Sequence, residues 1–222
     1  MGFAASKEQL MVTAIESQNI DNLTAQIQNL SSEQIQDICK TIVPDNSNQY
    51  TIFHYATWQD HPQLLELFLE HVNDLEVRDG LGWTPLMTAV QRDSKENVKL
   101  LLKYGAKVDC DTVQGMDLIA NAMHYNDIEL IQILMDHGAQ VSSSSGCQNG
   151  CYLLHFAADD GLLDIAKLFI ERGKIPINTL DQSGWSPLHI AAGHNHLEFV
   201  KLLEKKGADI NIKVLYNKER LF

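Results

Sequence analysis

The sequence predicts an all-α solenoid of stacked helix-turn-helix units, with short β-turn fingers between them and a helical cap in front. Three observations carry this. Apolar anchors at Phe53, Leu86, Ile119, Leu154 and Leu188 recur at steps of 33, 33, 35 and 34 residues. Nineteen residues after each of the last four anchors stands a glycine, Gly105, Gly138, Gly173 and Gly207, placed to end a second helix in the left-handed region. Between the two helices of each unit, Asp60, Asp93, Asn126, Gly161 and Asn195 are all residue types that tolerate that region. Two helices this short cannot bury their shared apolar face alone, so one unit requires others stacked on it.

Taken in order, residues 1–45 keep this rhythm and form an N-terminal helical cap. A helix from Lys7 to Ser17 carries Leu10, Met11, Ala14 and Ile15 on one face, and Gln18-Asn19 breaks it. A second runs from about Asp21 to Asn29. Ser31-Ser32 before Glu33-Gln34 has the form of a capping box and starts a third helix through Ile35, Ile38 and Ile42, ended by Pro44. Five repeats follow, over residues 46–78, 79–111, 112–146, 147–180 and 181–213, and residues 214–222 begin another. In the first, Val72 stands where the others have glycine, so its second helix ends differently. The extra residues of the longer steps fall in the polar finger from Val141 to Gly150, which extends repeat three, and in Lys174 to Asn178.

The last repeat is the clearest. In DQSGWSPLHIAAGHNHLEFVKLLEKKGADIN, Asp181 to Asn211, a Ser183-Gly184 turn precedes a short helix from Pro187 to Ala192, where proline at the start costs no hydrogen bond. A break at Gly193-His194-Asn195 separates it from a helix over Leu197 to Lys205. This stretch resembles an ankyrin repeat, whose GxTPLHxAA, GH-type break and GAD[IV]N it matches almost letter for letter. The resemblance implies that His54, His155 and His189, each next to its anchor, hydrogen-bond backbone between neighbouring repeats, and that His196 is the structural histidine of the break.

The resemblance also implies which positions bind: the finger tips, the residue two before the helix-opening proline, and the two residues before the break, on one concave face. Here these read Tyr50, Trp83, Met116, Cys151 and Trp185, and Trp58-Gln59, Gln91-Arg92, His124-Tyr125, Asp159-Asp160 and Gly193-His194. Aromatic residues ahead of the proline pack on their own hairpin in many such units, whereas Trp58 has no such role. Trp, Tyr and Arg dominate interface hot spots. Tyr50, Trp58, Trp83, Arg92 and Tyr125 are therefore expected to anchor a protein partner over repeats one to three, with Met116, His124, Trp185 and His194 beside them. Asp159 and Asp160 are expected to favour a basic segment over repeat four.

Composition bounds the rest. The formal net charge of −12 sets a repulsive background for phosphate backbones and argues against nucleic acid. No apolar run approaches the roughly 20 residues that span a bilayer. Four scattered cysteines do not form a disulfide scaffold, and a reducing compartment, the cytoplasm, is the simpler setting. Cys147, Cys151 and His155 at C-x3-C-x3-H spacing lack a fourth ligand nearby, so no metal and no cofactor are expected. Adjacent helix residues point about 100° apart, so Asp159 and Asp160 are not an acid/base pair. There is no GxSxG, no phosphate loop and no HExxH, and the chain is read as a monomeric, non-catalytic protein-binding module.

Two alternatives accompany that reading. The stack could serve as the targeting arm of a larger enzyme or of an effector injected by an intracellular bacterium, acting then in the host cytoplasm. Leu203 and Asp209-Ile210-Asn211 also resemble the leucine-spaced site of an ankyrin-directed asparaginyl hydroxylase, with Asn211 as target; its plainer role is to stabilise the turn.

Overall fold

The computed structural model describes residues 6–43, 49–108, 118–141, 146–147, 151–173 and 175–213. They group into two units, Met1–Val113 and Gln114–Phe222.

The first unit begins with α1 (Lys7–Glu16), α2 (Ile20–Ile27) and α3 (Ser32–Lys40). Each start is capped: Ser6 and Asn19 accept from the amides of Gln9 and Asn22, and at Ser31, as expected, the box closes in both directions, with the Gln34 amide donating to Ser31 Oγ and the Ser31 amide donating to Gln34 Oε1. The α3 helix stops at Lys40 rather than running through Ile42. Ile42 instead pairs antiparallel with Thr51, and its side chain is exposed.

Two repeats complete the unit, α4 (Ile52–Trp58) with α5 (Pro62–Leu69) and α6 (Pro85–Gln91) with α7 (Lys95–Lys103). The α4 helix is the hub: α1, α3, α5 and α6 all pack on it. Its Phe53 is fully buried, as are Leu64, Leu65 and Phe68 of α5. Cys39, in the same core, has a thiol pushed up to about 12 by burial. A neutral buried thiol is a poor nucleophile. Labelling of the Cys39 peptide by iodoacetamide, followed by mass spectrometry, is expected to proceed only as fast as the protein unfolds.

The second unit holds α8 (Leu118–Met123), α9 (Ile128–Asp136), a short hairpin of β1 (Gly146–Cys147) and β2 (Cys151–Tyr152), α10 (Leu153–Asp159), α11 (Leu163–Leu168), α12 (Pro187–Gly193) and α13 (Leu197–Lys205). The buried side of each helix follows the apolar spacing, for example Leu130, Ile131 and Leu134 on α9.

The turn between paired helices is the same throughout. Asp60, Asp93, Asn126, Gly161 and Asn195 adopt φ of 52°, 53°, 50°, 68° and 61°. Gly105, Gly138 and Gly207 end their helices at φ of 96°, 100° and 92°. Gly173 does not follow them. There α11 widens into a π turn over Phe169–Gly173. Glycine fits closely at that point: a Cβ would lie 3.0 Å from Val141 Cβ, so the valine would have to give way to any larger residue. At Val72, as expected, the helix closes without a left-handed residue, its amide donating to the Phe68 carbonyl.

Neighbouring repeats are tied by buried histidines. His54 Nε2 donates to the Trp83 carbonyl at 2.8 Å while its Nδ1 accepts from Thr51 Oγ1 at 2.8 Å, and His155 Nε2 donates to the Trp185 carbonyl at 3.0 Å. Asn97 adds a bond from its side-chain amide to the Thr57 carbonyl. Desolvation is the main cause that holds the pKa of both His54 and His155 below the usual histidine value. The unfolded chain therefore binds more protons than the folded one below about pH 6.5. Stability is expected to be fully present above that pH and to fall as pH drops through it toward the folded-state values. Urea midpoints measured from pH 8 to pH 5 test this, and a flat profile over that window contradicts it.

Candidate functional site

Two patches collect the residues singled out above, one in each unit. In the first, Trp58 closes α4 and is half-buried. Its ring lies 5.4 Å from the Tyr50 ring, tilted by 35°, and the Arg92 guanidinium sits 4.5 Å from the Trp58 centroid. That distance places a cation over an aromatic face. Arg92 reaches this position because it caps α6 at the C-terminal end, where a positive charge also meets the helix dipole favourably.

Tyr50 departs from its expected place. It is only 6% exposed, stacked on His54 with rings 6.4 Å apart, so it supports Trp58 from within rather than offering a surface. Trp83 is half-buried at the base of its finger, where Asp79 Oδ1 accepts from the amides of Leu81 and Trp83. The same bonds recur at Asp181, which accepts from Ser183 and Trp185. The first finger also lifts Leu81 into solvent at 41% exposure, with Arg78 donating to the Gly82 carbonyl beside it. Leu81 was not among the expected residues: in the run Asp79-Gly-Leu-Gly-Trp83 it belongs to no amphipathic face, and only its place at a tip flanked by glycines could have marked it.

In the second unit, Asp159, Trp185, His189, Ile190, Gly193 and His194 line a hollow of about 280 Å³. His194 Nε2 stands 3.1 Å from Asp159 Oδ1, and the His194 and His196 rings stack 6.0 Å apart. The Trp185 ring meets His189 edge-on. Asp160 is exposed and contributes no lining. His124 and Tyr125 are exposed before the α8–α9 turn, His124 edge-on to Phe156 at 5.2 Å. Met116 lies outside the described residues, as do the side chains of Cys147 and Cys151. Among the described residues no group of His, Cys, Asp or Glu is arranged to hold a metal ion, and no helix is long and apolar enough to cross a membrane.

His196 shows how one repeat fits the next. Its Nε2 donates to the Asp159 carbonyl at 2.9 Å, and its ring lies over Gly161, where a Cβ would come within 2.8 Å of Nδ1. At the equivalent pair in the first unit the sizes are reversed, with Ser94 donating to Asp60. A side chain at Gly161 is thus excluded by the imidazole more than by the backbone, since Asp60 and Asn195 hold nearly the same φ. Gly161→Asp is expected to cost on the order of 2 kcal/mol in urea denaturation through the displaced ring and its lost hydrogen bond. Adding His196→Ser should recover a measurable part, and additivity of the two changes would contradict the packing argument.

Similarity to known proteins agrees with this architecture. The sequence profile for ankyrin repeats (three copies) matches residues 10–114, 53–145 and 118–214, and the chain belongs to the ankyrin repeat family. It is 35% identical over 105 residues to alpha-latrocrustotoxin-Lt1a of Latrodectus tredecimguttatus, covering 47% of the chain and 7% of the toxin. It is 32% identical over 147 residues to a Saccharomyces cerevisiae protein described as a probable 26S proteasome regulatory subunit, p28, covering 65% of the chain and 64% of that protein. An ankyrin repeat protein of Rickettsia bellii is 33% identical over 122 residues, 53% of the chain and 66% of the relative. The chain spans less than two thirds of each.

Proposed function

We propose that this chain is a non-catalytic scaffold that binds a partner protein through side chains at its finger tips and at the ends of its inner helices. Ankyrin repeats generally mediate protein–protein interaction, and the observation that supports the reading here is the half-exposed Trp58, backed by Tyr50 and covered by Arg92. A large aromatic already fixed by Tyr50 and Arg92 offers its remaining exposed surface at little further cost in side-chain entropy. Trp83 and Leu81 extend this patch on the finger, and within the second unit Tyr125 and His124 offer a separate exposed pair. The hollow beside Asp159, with Asp160 outside it, suits a basic segment. The setting we propose is a reducing one such as the cytoplasm.

The test compares the parent with a Trp58→Ala/Trp83→Ala double variant in quantitative pull-down and mass spectrometry. Partners depleted by the double variant, with its helicity unchanged, support the reading, and an identical partner set from both proteins sinks it.

A second reading makes the stack the targeting arm of a larger protein, an injected effector among the options. It draws on the partial coverage of the relatives, one of them from Rickettsia. Asn211 is read as a turn residue: its amide donates to Asp209 Oδ1 at 2.8 Å, while Asn178, at the same place one repeat earlier, accepts from the Asp209 amide at 3.0 Å.

A further inference from the structure

We propose that the Trp58–Arg92 stack receives a carboxylate, carried by an Asp or Glu of an acidic segment in the partner protein. This deepens the binding function proposed above and rests on it.

The chain holds 29 acidic and 17 basic residues, so carboxylates to pair with an arginine are plentiful. Arg172 takes one, Asp136 at 2.6 Å, and Arg78 spends an Nη on the Gly82 carbonyl. Arg92 makes no ion pair with any described residue; its contact is with the Trp58 face. Asp60, on the neighbouring turn, is engaged instead by the Ser94 hydroxyl. A guanidinium lying on a ring uses its π surface and leaves its N–H edge in plane, the edge that matches a carboxylate in bidentate fashion. Because Trp58 already holds the group, less conformational freedom remains to be lost when an anion arrives.

The overall negative charge does not oppose this at short range. At physiological ionic strength the Debye length is about 8 Å, so distant carboxylates are largely screened from Arg92. The second unit has the opposite preference at Asp159, so the two patches would read different stretches of a partner. Lysine in place of Arg92 keeps the charge and loses the planar fork, which separates recognition by geometry from simple attraction.

The experiment pans a phage-displayed random 12-residue library on the full chain and on Trp58→Ala, and measures selected peptides by fluorescence polarisation. Peptides that require Trp58 are expected to share an Asp or Glu at one position. Their affinity should fall roughly ten- to hundred-fold with Arg92→Gln, with Arg92→Lys recovering only part. Changing that peptide Glu to Gln should weaken binding to the parent and leave binding to Arg92→Gln unchanged. Trp58-dependent peptides that share no acid, or that bind Arg92→Gln as tightly as the parent, overturn the carboxylate assignment and leave the scaffold function standing. A phosphoserine peptide that binds through Arg92 where its glutamate counterpart does not also overturns it. If no peptide depends on Trp58, both proposals fall together.

Discussion

Replacing Phe53 by alanine is expected to cost about 3–5 kcal/mol of stability, the usual range for emptying a buried phenylalanine site. Phe53 is fully buried on α4, the helix that α1, α3, α5 and α6 all pack against, so no single neighbour can move in to fill the space without leaving another. The same position four repeats later provides an internal comparison. Leu188 is the corresponding anchor on α12, but it is only half-buried, and α10 and α13 are the elements that pack on that helix. Leu188→Ala should therefore cost less than half as much. Urea denaturation followed by far-UV circular dichroism checks both, and equal losses would mean that the anchor position is not ranked by its burial.

The second large effect concerns binding. Trp58→Ala is expected to cost on the order of 2 kcal/mol of partner affinity, about thirtyfold in Kd. Part of the loss is direct contact area and part is indirect, because Arg92 no longer has a ring to lie on and Tyr50 loses its cover. Trp58 sits at the last position of α4, after the buried Phe53, Ala56 and Thr57, so the helix should persist without it. Circular dichroism unchanged within error, together with an unweakened complex, would remove Trp58 from the binding patch.

The repeat architecture was legible in the sequence because it is enforced by local rules. The residue between paired helices must tolerate positive φ, and the Asp, Asn and Gly found at all five of these positions agree with the turns that the anchor spacing places. Serine before glutamine three places on announced the α3 cap. What escaped is what depends on contacts between residues far apart in the chain. Gly173 has the family spacing, yet it ends a widened helix turn close against Val141. Tyr50 shares its position with Trp83 and Trp185 but is buried under Trp58, which no pattern within one repeat could reveal. The Trp58–Arg92 stack joins residues 34 positions apart, across a repeat boundary. Candidate binding positions can thus be proposed from the pattern, whereas their exposure and pairing follow only from geometry.

Four of the hydrogen bonds that fasten one repeat to the next end on main-chain carbonyls: His54 on Trp83, Asn97 on Thr57, His155 on Trp185 and His196 on Asp159. A carbonyl is the same whatever side chain its residue carries. Trp83, Trp185 and Asp159 can therefore be exchanged for other residues while the joint beneath them stays closed, so that selection, or a protein engineer grafting a new specificity, can rewrite what this stack recognises one position at a time without first rebuilding how it is assembled.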